Sequence, residues 1–206
     1  MEARELAVKG AYAFTPHVHP DERGLFVSPF QGPAFAEAVS RPVFPLAQSN
    51  HSVSRRGVVR GVHFTRTPPG TAKYVYCAHG EAMDFVIDVR VGSPTFGAWD
   101  MVVLNPTTFN AMYFPVGVGH AFVALRDETV MAYVISESYV AENELAISFF
   151  DPELGLPPLP DGMAPVMSSR DREAVTLAQA KRLGMLPDYE KCSAIEAATY
   201  QGLERR

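Results

Sequence analysis

Residues 74–90 read YVYCAHGEAMDFVIDVR. Apolar side chains recur at every second position, and Gly80 and Glu81 separate a pair of runs too short for helices. The pattern predicts two strands joined by a tight hairpin. Downstream, VGSPTFG (91–97) turns the chain, WDMVVL (99–104) resumes a strand, and NPTT (105–108) ends it. AMYFPV (111–116), HAFVAL (120–125) and VMAYVIS (130–136) add three strands, joined by VGVG and RDET. Upstream, RGLFVSPF (23–30) and PLAQSNHSVS (45–54) read as further strands around a short helix near Pro33 to Val39. Short strands at this spacing specify an all-β sandwich or jelly roll rather than βαβ units.

The Pro-rich run DPELGLPPLPDGMAPVM (151–167) closes the sheet region. After it SSRDREAVTLAQAKRLG (168–184) has helical composition and ends at Gly184, a glycine placed as a helix C-cap. The expected organisation is one domain over 1–186, with short peripheral helices, and a weakly patterned tail over 187–206 that frays.

Composition excludes several classes of function. With 206 residues, 47% of them hydrophobic and 20% charged, the chain suits a single globular domain. A formal charge of -5 offers no electrostatic basis for nucleic-acid binding, so an anionic ligand must meet a local cationic cluster. Two cysteines, Cys77 and Cys192, make no disulfide framework and point to a reducing compartment. The first residues lack an apolar run of signal-peptide length, and nothing approaches the roughly 20 apolar residues of a membrane span. A cytoplasmic, soluble protein is expected.

Chemistry is concentrated in two histidines. His63, in VVRGVHF (58–64), and His120, in PVGVGH (115–120), each lie inside an apolar run beside glycine. Burial there tunes imidazole basicity, although a core histidine bonded to a backbone carbonyl fits the same pattern. His17, His19, His51 and His79 sit in polar or turn segments. Alternation would put Arg60 and His63 on opposite faces unless Gly61 supplies a bulge. An imidazole acting as a base needs an orienting carboxylate and an opposing acid. Asp171 is the candidate orienter, but Ser168 to Asp171 also has capping-box spacing, which from spacing alone is the stronger role. Tyr133 and Tyr139 are the candidate acids, with aromatic packing as the alternative. Arg23, Arg60 and Lys73 stand near strand starts, where three cations suit a diphosphate; any one of them alone is better read as serving solubility.

The P-x-G-x-x-H spacing of Pro115 to His120 resembles the second motif of cupins. The paired H-x-H of a metal-binding cupin is missing, because Phe64 and Thr65 follow His63. Three or four metal ligands at suitable spacing cannot be assembled, so the pattern is that of a cupin without its metal.

Taken together, DERGLF (21–26), QSNHSVSRRGVVRGVHF (48–64), GTAKYVYCAHGEAMDFVIDVRVGSPTFGAWD (70–100), FPVGVGHAFVAL (114–125) and AYVISESYVAENELAISFFDPELGL (132–156) resemble the dTDP-4-dehydrorhamnose 3,5-epimerase family. The resemblance covers about residues 20 to 172, and is nearest to the branch serving antibiotic deoxysugar pathways. It implies a metal-free cupin jelly roll that needs no cofactor. It also implies a homodimer whose N-terminal segment reaches the partner's site, and a dTDP-sugar substrate. By resemblance His63 is the base, Asp171 holds it, Tyr133 is the acid on the opposite face, and Lys73 lies beside the sugar O4. His120 lines the same cavity. Gln48, Asn50 and Arg60 match residues near the diphosphate and sugar. Arg23 and Phe26 match the arm that crosses to the nucleotide, and Tyr139 the aromatic ring that packs on thymine. Two departures stand out. Ser28 replaces a common acidic residue, which bears on the nucleotide contact, and Phe149–Phe150 replace a tryptophan, which bears on sugar packing.

The expected activity is epimerisation beside a C4 ketone, at C3 alone or at C3 and C5, with C3 favoured. The alternatives are a C5-only epimerase, a sugar-nucleotide 3,4-ketoisomerase, or a non-catalytic cupin that binds a sugar nucleotide. Convergence of His63, Lys73, Tyr133 and Asp171 on one cavity discriminates against the last.

Overall fold

The computed structural model describes residues 1–204. Its strands are β1 (Glu2–Glu5), β2 (Tyr12–Thr15), β3 (Val18–Asp21), β4 (Gly24–Val27), β5 (Gln48–Ser54), β6 (Val59–Thr65), β7 (Lys73–His79), β8 (Ala82–Ile87), β9 (Trp99–Leu104), β10 (Ala111–Phe114), β11 (Gly119–Ala124), β12 (Thr129–Ile135) and β13 (Glu144–Ala146). Helix α1 (Gly32–Val39) falls between β4 and β5, and α2 (Ser169–Arg172), α3 (Leu177–Arg182) and α4 (Tyr189–Glu204) follow the last strand. Two antiparallel sheets, β1-β2-β10-β7-β12-β5 and β13-β6-β11-β8-β9, face one another, and β3 and β4 form a separate ribbon. The all-β jelly-roll class expected from the sequence is the one found.

The hairpin expected at Gly80–Glu81 is a correction. β7 pairs with β10 and β12, whereas β8 pairs with β9 and β11, so the turn carries the chain from one sheet to the other. Gly80 is needed there: its φ is 79°, and a Cβ would lie 2.6 Å from the Thr129 hydroxyl. Periodicity marks a strand and its end but is silent about partners, because pairing is made by residues remote in sequence.

Between the sheets Val75, Cys77, Val86, Met112, Phe114, Phe122 and Met131 fill one end of the interior. The outer faces are covered too. Phe14, Tyr74 and Tyr113 pack against Phe35 of α1 and Cys192 and Tyr200 of α4 on one side. On the other, Phe64, Phe85 and Ile87 meet Phe149, Leu154, Leu177 and Ala180. Strands β10 and β11 are therefore buried at every position, which explains their nearly continuous apolar character.

The C-terminal segment also differs from expectation. Residues 168–184 form two short helices, α2 and α3, with Thr176 capping the second; Gly184 follows it at φ 66°. The region expected to fray forms the 16-residue helix α4 over Tyr189–Glu204. Its Cys192, Glu196 and Tyr200 are buried. The helix is legible only through these tertiary contacts, because its apolar residues make a narrow stripe. Cys77 and Cys192 are both buried and unbridged. Among the described residues no helix is long and apolar enough to cross a membrane.

Candidate active site

At the end of the interior that the apolar core leaves open lies a cavity of about 270 Å³. Strand alternation selects its residues. Lys73 faces Ile135 across the β7–β12 ladder, and Ile135 faces Gln48 across β12–β5. Every second residue from these points inward, which brings Lys73, Tyr133, Asn50 and Ser52 onto one wall. On β5 the alternation is plain, with Ser49, His51 and Val53 exposed and the residues between them half-buried. The opposite wall belongs to the other sheet and carries Arg60, His63, His120 and Phe122.

Arg60 and His63 both reach the cavity, and a bulge makes this possible. Across the β6–β11 ladder His63 faces His120 while Arg60 faces Phe122, so three steps on β6 match two on β11. The extra residue lies at Gly61, whose φ is 111°. A Cβ on Gly61 would sit 2.5 Å from the His120 carbonyl oxygen.

His63 Nε2 lies 2.5 Å from Asp171 Oδ1. The Asp171 backbone N–H meanwhile donates to the Ser168 hydroxyl at 3.1 Å, so both roles weighed for Asp171 are present, one in the side chain and one in the backbone. Burial opposes ionisation of Asp171, but the hydrogen bond and charge of His63, with Ser168 and Arg170, outweigh it and lower the carboxyl pKa. Burial also lowers the His63 pKa; Asp171 opposes this, and Arg170 and Lys73 add to it. An ionised carboxylate accepts a hydrogen bond from Nε2–H, which leaves Nδ1 as the basic nitrogen. Arg170 Nη2 stands 2.8 Å from the same Nε2, where two donors oppose each other, so Arg170 acts there through its charge.

Lys73 loses hydration in the cavity, which lowers its ammonium pKa against the pull of Glu144. Tyr133 is pushed well above the ordinary phenol value by burial, and its hydroxyl meets Ser52 Oγ at 3.2 Å. His120 Nε2 lies 2.6 Å from Asp84 Oδ1, deep beneath the cavity. Asp84 is raised by burial, which the adjacent His120 opposes, and its Oδ2 has no partner among the described residues.

Of the residues expected at the site, the cavity gathers His63, Lys73, Tyr133, Asn50, Arg60, His120 and Tyr139. Asp171 stands behind His63. Gln48 lies just outside, accepting from the Tyr139 N–H at 2.9 Å and donating to Asn50 at 2.6 Å. Arg23 and Phe26 are apart from the cavity on the β3–β4 ribbon, where Arg23 pairs with Asp21 and Phe26 is 68% exposed. Phe149 is in the outer core against Phe85, and Phe150 beside it is half-exposed, so neither bears on this cavity. Asp84, Ser52, Glu144 and Arg170 were not singled out from the sequence. Asp84 carried a usable signal, a carboxylate inside the buried run MDFVID; the others needed the assembled walls. His51, taken for a residue before a turn, lies in β5 at the cavity rim.

Known proteins agree with this architecture. Residues 5–179 match the family model described as dTDP-4-dehydrorhamnose 3,5-epimerase. A dTDP-4-dehydrorhamnose 3-epimerase of Streptomyces niveus is 44% identical over 95% of this chain and 93% of its own. The rmlC epimerase of Mycobacterium tuberculosis superimposes with a TM-score of 0.92 at 40% identity, over 97% of this chain and 100% of that one. ChmJ, a 3'-monoepimerase from Streptomyces bikiniensis solved with dTDP-quinovose, gives 0.89 at 41% identity over 95% and 98%. With a fold, a length and a sequence in common with these proteins, the chain belongs to the dTDP-4-dehydrorhamnose 3,5-epimerase family.

Proposed function

We propose that this protein inverts C3 of a dTDP-4-keto-6-deoxyhexose, alone or together with C5, in deoxysugar biosynthesis. The observation that carries the proposal is the placement of His63 on one sheet, held by Asp171 of helix α2, and of Lys73 and Tyr133 on the facing sheet. A C4 ketone acidifies the hydrogens on its neighbouring carbons. Neutral His63 removes one of them, and the Lys73 ammonium stabilises the enolate oxygen. Tyr133 returns a proton from the other wall, which inverts the carbon. Asp171 holds the His63 ring and its tautomer, and His120 lines the floor.

The cavity accommodates the sugar, so the rest of the substrate lies at its mouth. There Arg60, Asn50 and Gln48 serve the diphosphate and sugar, and Tyr139, 53% exposed, offers a ring to the thymine. In a homodimer Arg23 and Phe26 would complete the neighbouring site. Support for this comes from the β3–β4 ribbon, which joins neither sheet and leaves Leu25 and Phe26 exposed.

The test is proton NMR of dTDP-4-keto-6-deoxyglucose with the enzyme in deuterium oxide. Deuterium at C3 with inversion there is the expected result, and label at both carbons with double inversion marks the 3,5 activity. Absence of exchange above a His63→Ala control overturns the proposal.

A further inference from the structure

Inversion by two groups leaves the enzyme in the wrong protonation state. After one turnover His63 is an imidazolium and Tyr133 a phenolate, and both must be reset before another substrate is inverted in the same direction. His63 faces the cavity with a side chain 23% exposed and can shed its proton there. Tyr133 has the harder task, because burial disfavours its phenolate and its hydroxyl has a single hydrogen-bond partner among the described residues. That partner is Ser52 Oγ at 3.2 Å, and Ser52 makes no other side-chain hydrogen bond among them. Ser52 is half-buried and lines the cavity from β5, the strand at the edge of its sheet.

We propose that Ser52 is the proton relay that resets Tyr133. The inference rests on the epimerase reading above and adds a residue to it. In the reset, the Ser52 O–H bond breaks as the Tyr133 O–H bond forms, and cavity water returns a proton to Ser52. The imidazolium of His63 gives its proton to water in the same cycle. The net result is one proton lost by His63 and one gained by Tyr133, with water unchanged. A serine hydroxyl suits the task because it donates and accepts through one freely rotating atom.

The relay separates the first turnover from later ones, and the experiment uses that. Wild type, Ser52→Ala and Ser52→Thr are compared in deuterium oxide by rapid quench, with enzyme first in excess and then limiting. In Ser52→Ala the single-turnover inversion stays within about threefold of wild type. Steady-state inversion falls at least about tenfold, a modest share of what acid–base groups contribute. Progress curves then show a burst of inverted product equal to the enzyme concentration, and Ser52→Thr, which keeps the hydroxyl, abolishes the burst. A steady-state rate in Ser52→Ala within twofold of wild type overturns the relay. So does an equal slowing of single and multiple turnovers, which would make Ser52 a mere support for the tyrosine ring. Wild type that neither exchanges nor inverts would overturn the epimerase reading itself, an outcome distinct from both.

Discussion

His63 and His120 face each other across the β6–β11 ladder, and each places its Nε2 against a different carboxylate, Asp171 at 2.5 Å and Asp84 at 2.6 Å. The two pairs are neighbours in space but unequal in setting. His63 is reached from the cavity, and the Asp171 carboxyl behind it is stabilised as an anion. Asp84 is buried with one oxygen unpartnered among the described residues, so its charge is costly and depends on His120. One pair opens on the cavity and the other lies beneath its floor.

The two roles of Asp171 separate by mutation. Asp171→Asn keeps the backbone N–H that Ser168 caps but removes the anion facing His63. The kcat is expected to fall about a hundredfold with little change in Tm. Ser168→Ala is expected to do the reverse, costing about 1 kcal/mol of stability with a smaller effect on rate. Steady-state kinetics and thermal melts of the two variants check this.

If His63 is the base as proposed, activity requires its neutral form, and its pKa lies below the ordinary 6.5 because burial disfavours the imidazolium. The kcat/KM is therefore flat at neutral pH and falls on acidification through that lowered value. Asp171 opposes the shift, so in Asp171→Asn the acid limb moves to still lower pH. Stability follows the same group. Between the folded pKa and 6.5 the unfolded chain binds more protons, so the His63 contribution is complete above 6.5 and declines as pH falls. Asp171, lowered from 3.8, adds a second loss as pH falls below that value. A pH–rate profile and urea melts across the acid range check both.

Gly61 carries the bulge that turns Arg60 and His63 into the same cavity. Gly61→Ala must place a Cβ 2.5 Å from the His120 carbonyl at a φ of 111°. A loss of about 1–3 kcal/mol is expected from the backbone strain alone, with activity falling more steeply because Arg60 and His63 both shift with β6. Denaturant melts paired with kcat/KM measure the two effects.

Helix α4 is integral to the domain's stability. Glu196 accepts from the Val116 N–H at 2.8 Å and from Arg41 at 2.7 Å, beneath Tyr113 and Tyr200. Glu196→Ala leaves a buried N–H without its acceptor and is expected to cost about 1–3 kcal/mol. None of these residues lines the cavity, so kcat and KM should stay within about twofold of wild type. Melts and kinetics on the same preparation test the separation.

Strands β4, β5 and β7 to β12 and the class of fold were legible in the sequence because they depend on neighbours in the chain, whereas β1, β2, β3 and β13 were not read from it. Alternation in 74–90, the breaks at NPTT and VGVG, and the bulge at Gly61 all express local backbone preference and side-chain period. The Ser168 cap was legible for the same reason. His63 stood out as a titratable group in an apolar run; Asp171 and Tyr133 were candidates beside it, and only the resemblance gave them definite roles. Only the tertiary structure decided that β7 and β8 join different sheets, that 189–204 is helical, and that Asp84, Ser52 and Arg170 stand beside the expected residues. Each of those facts is a contact between segments tens of residues apart. No periodicity along the chain encodes such a contact, because it is chosen by the packing of whole sheets against one another.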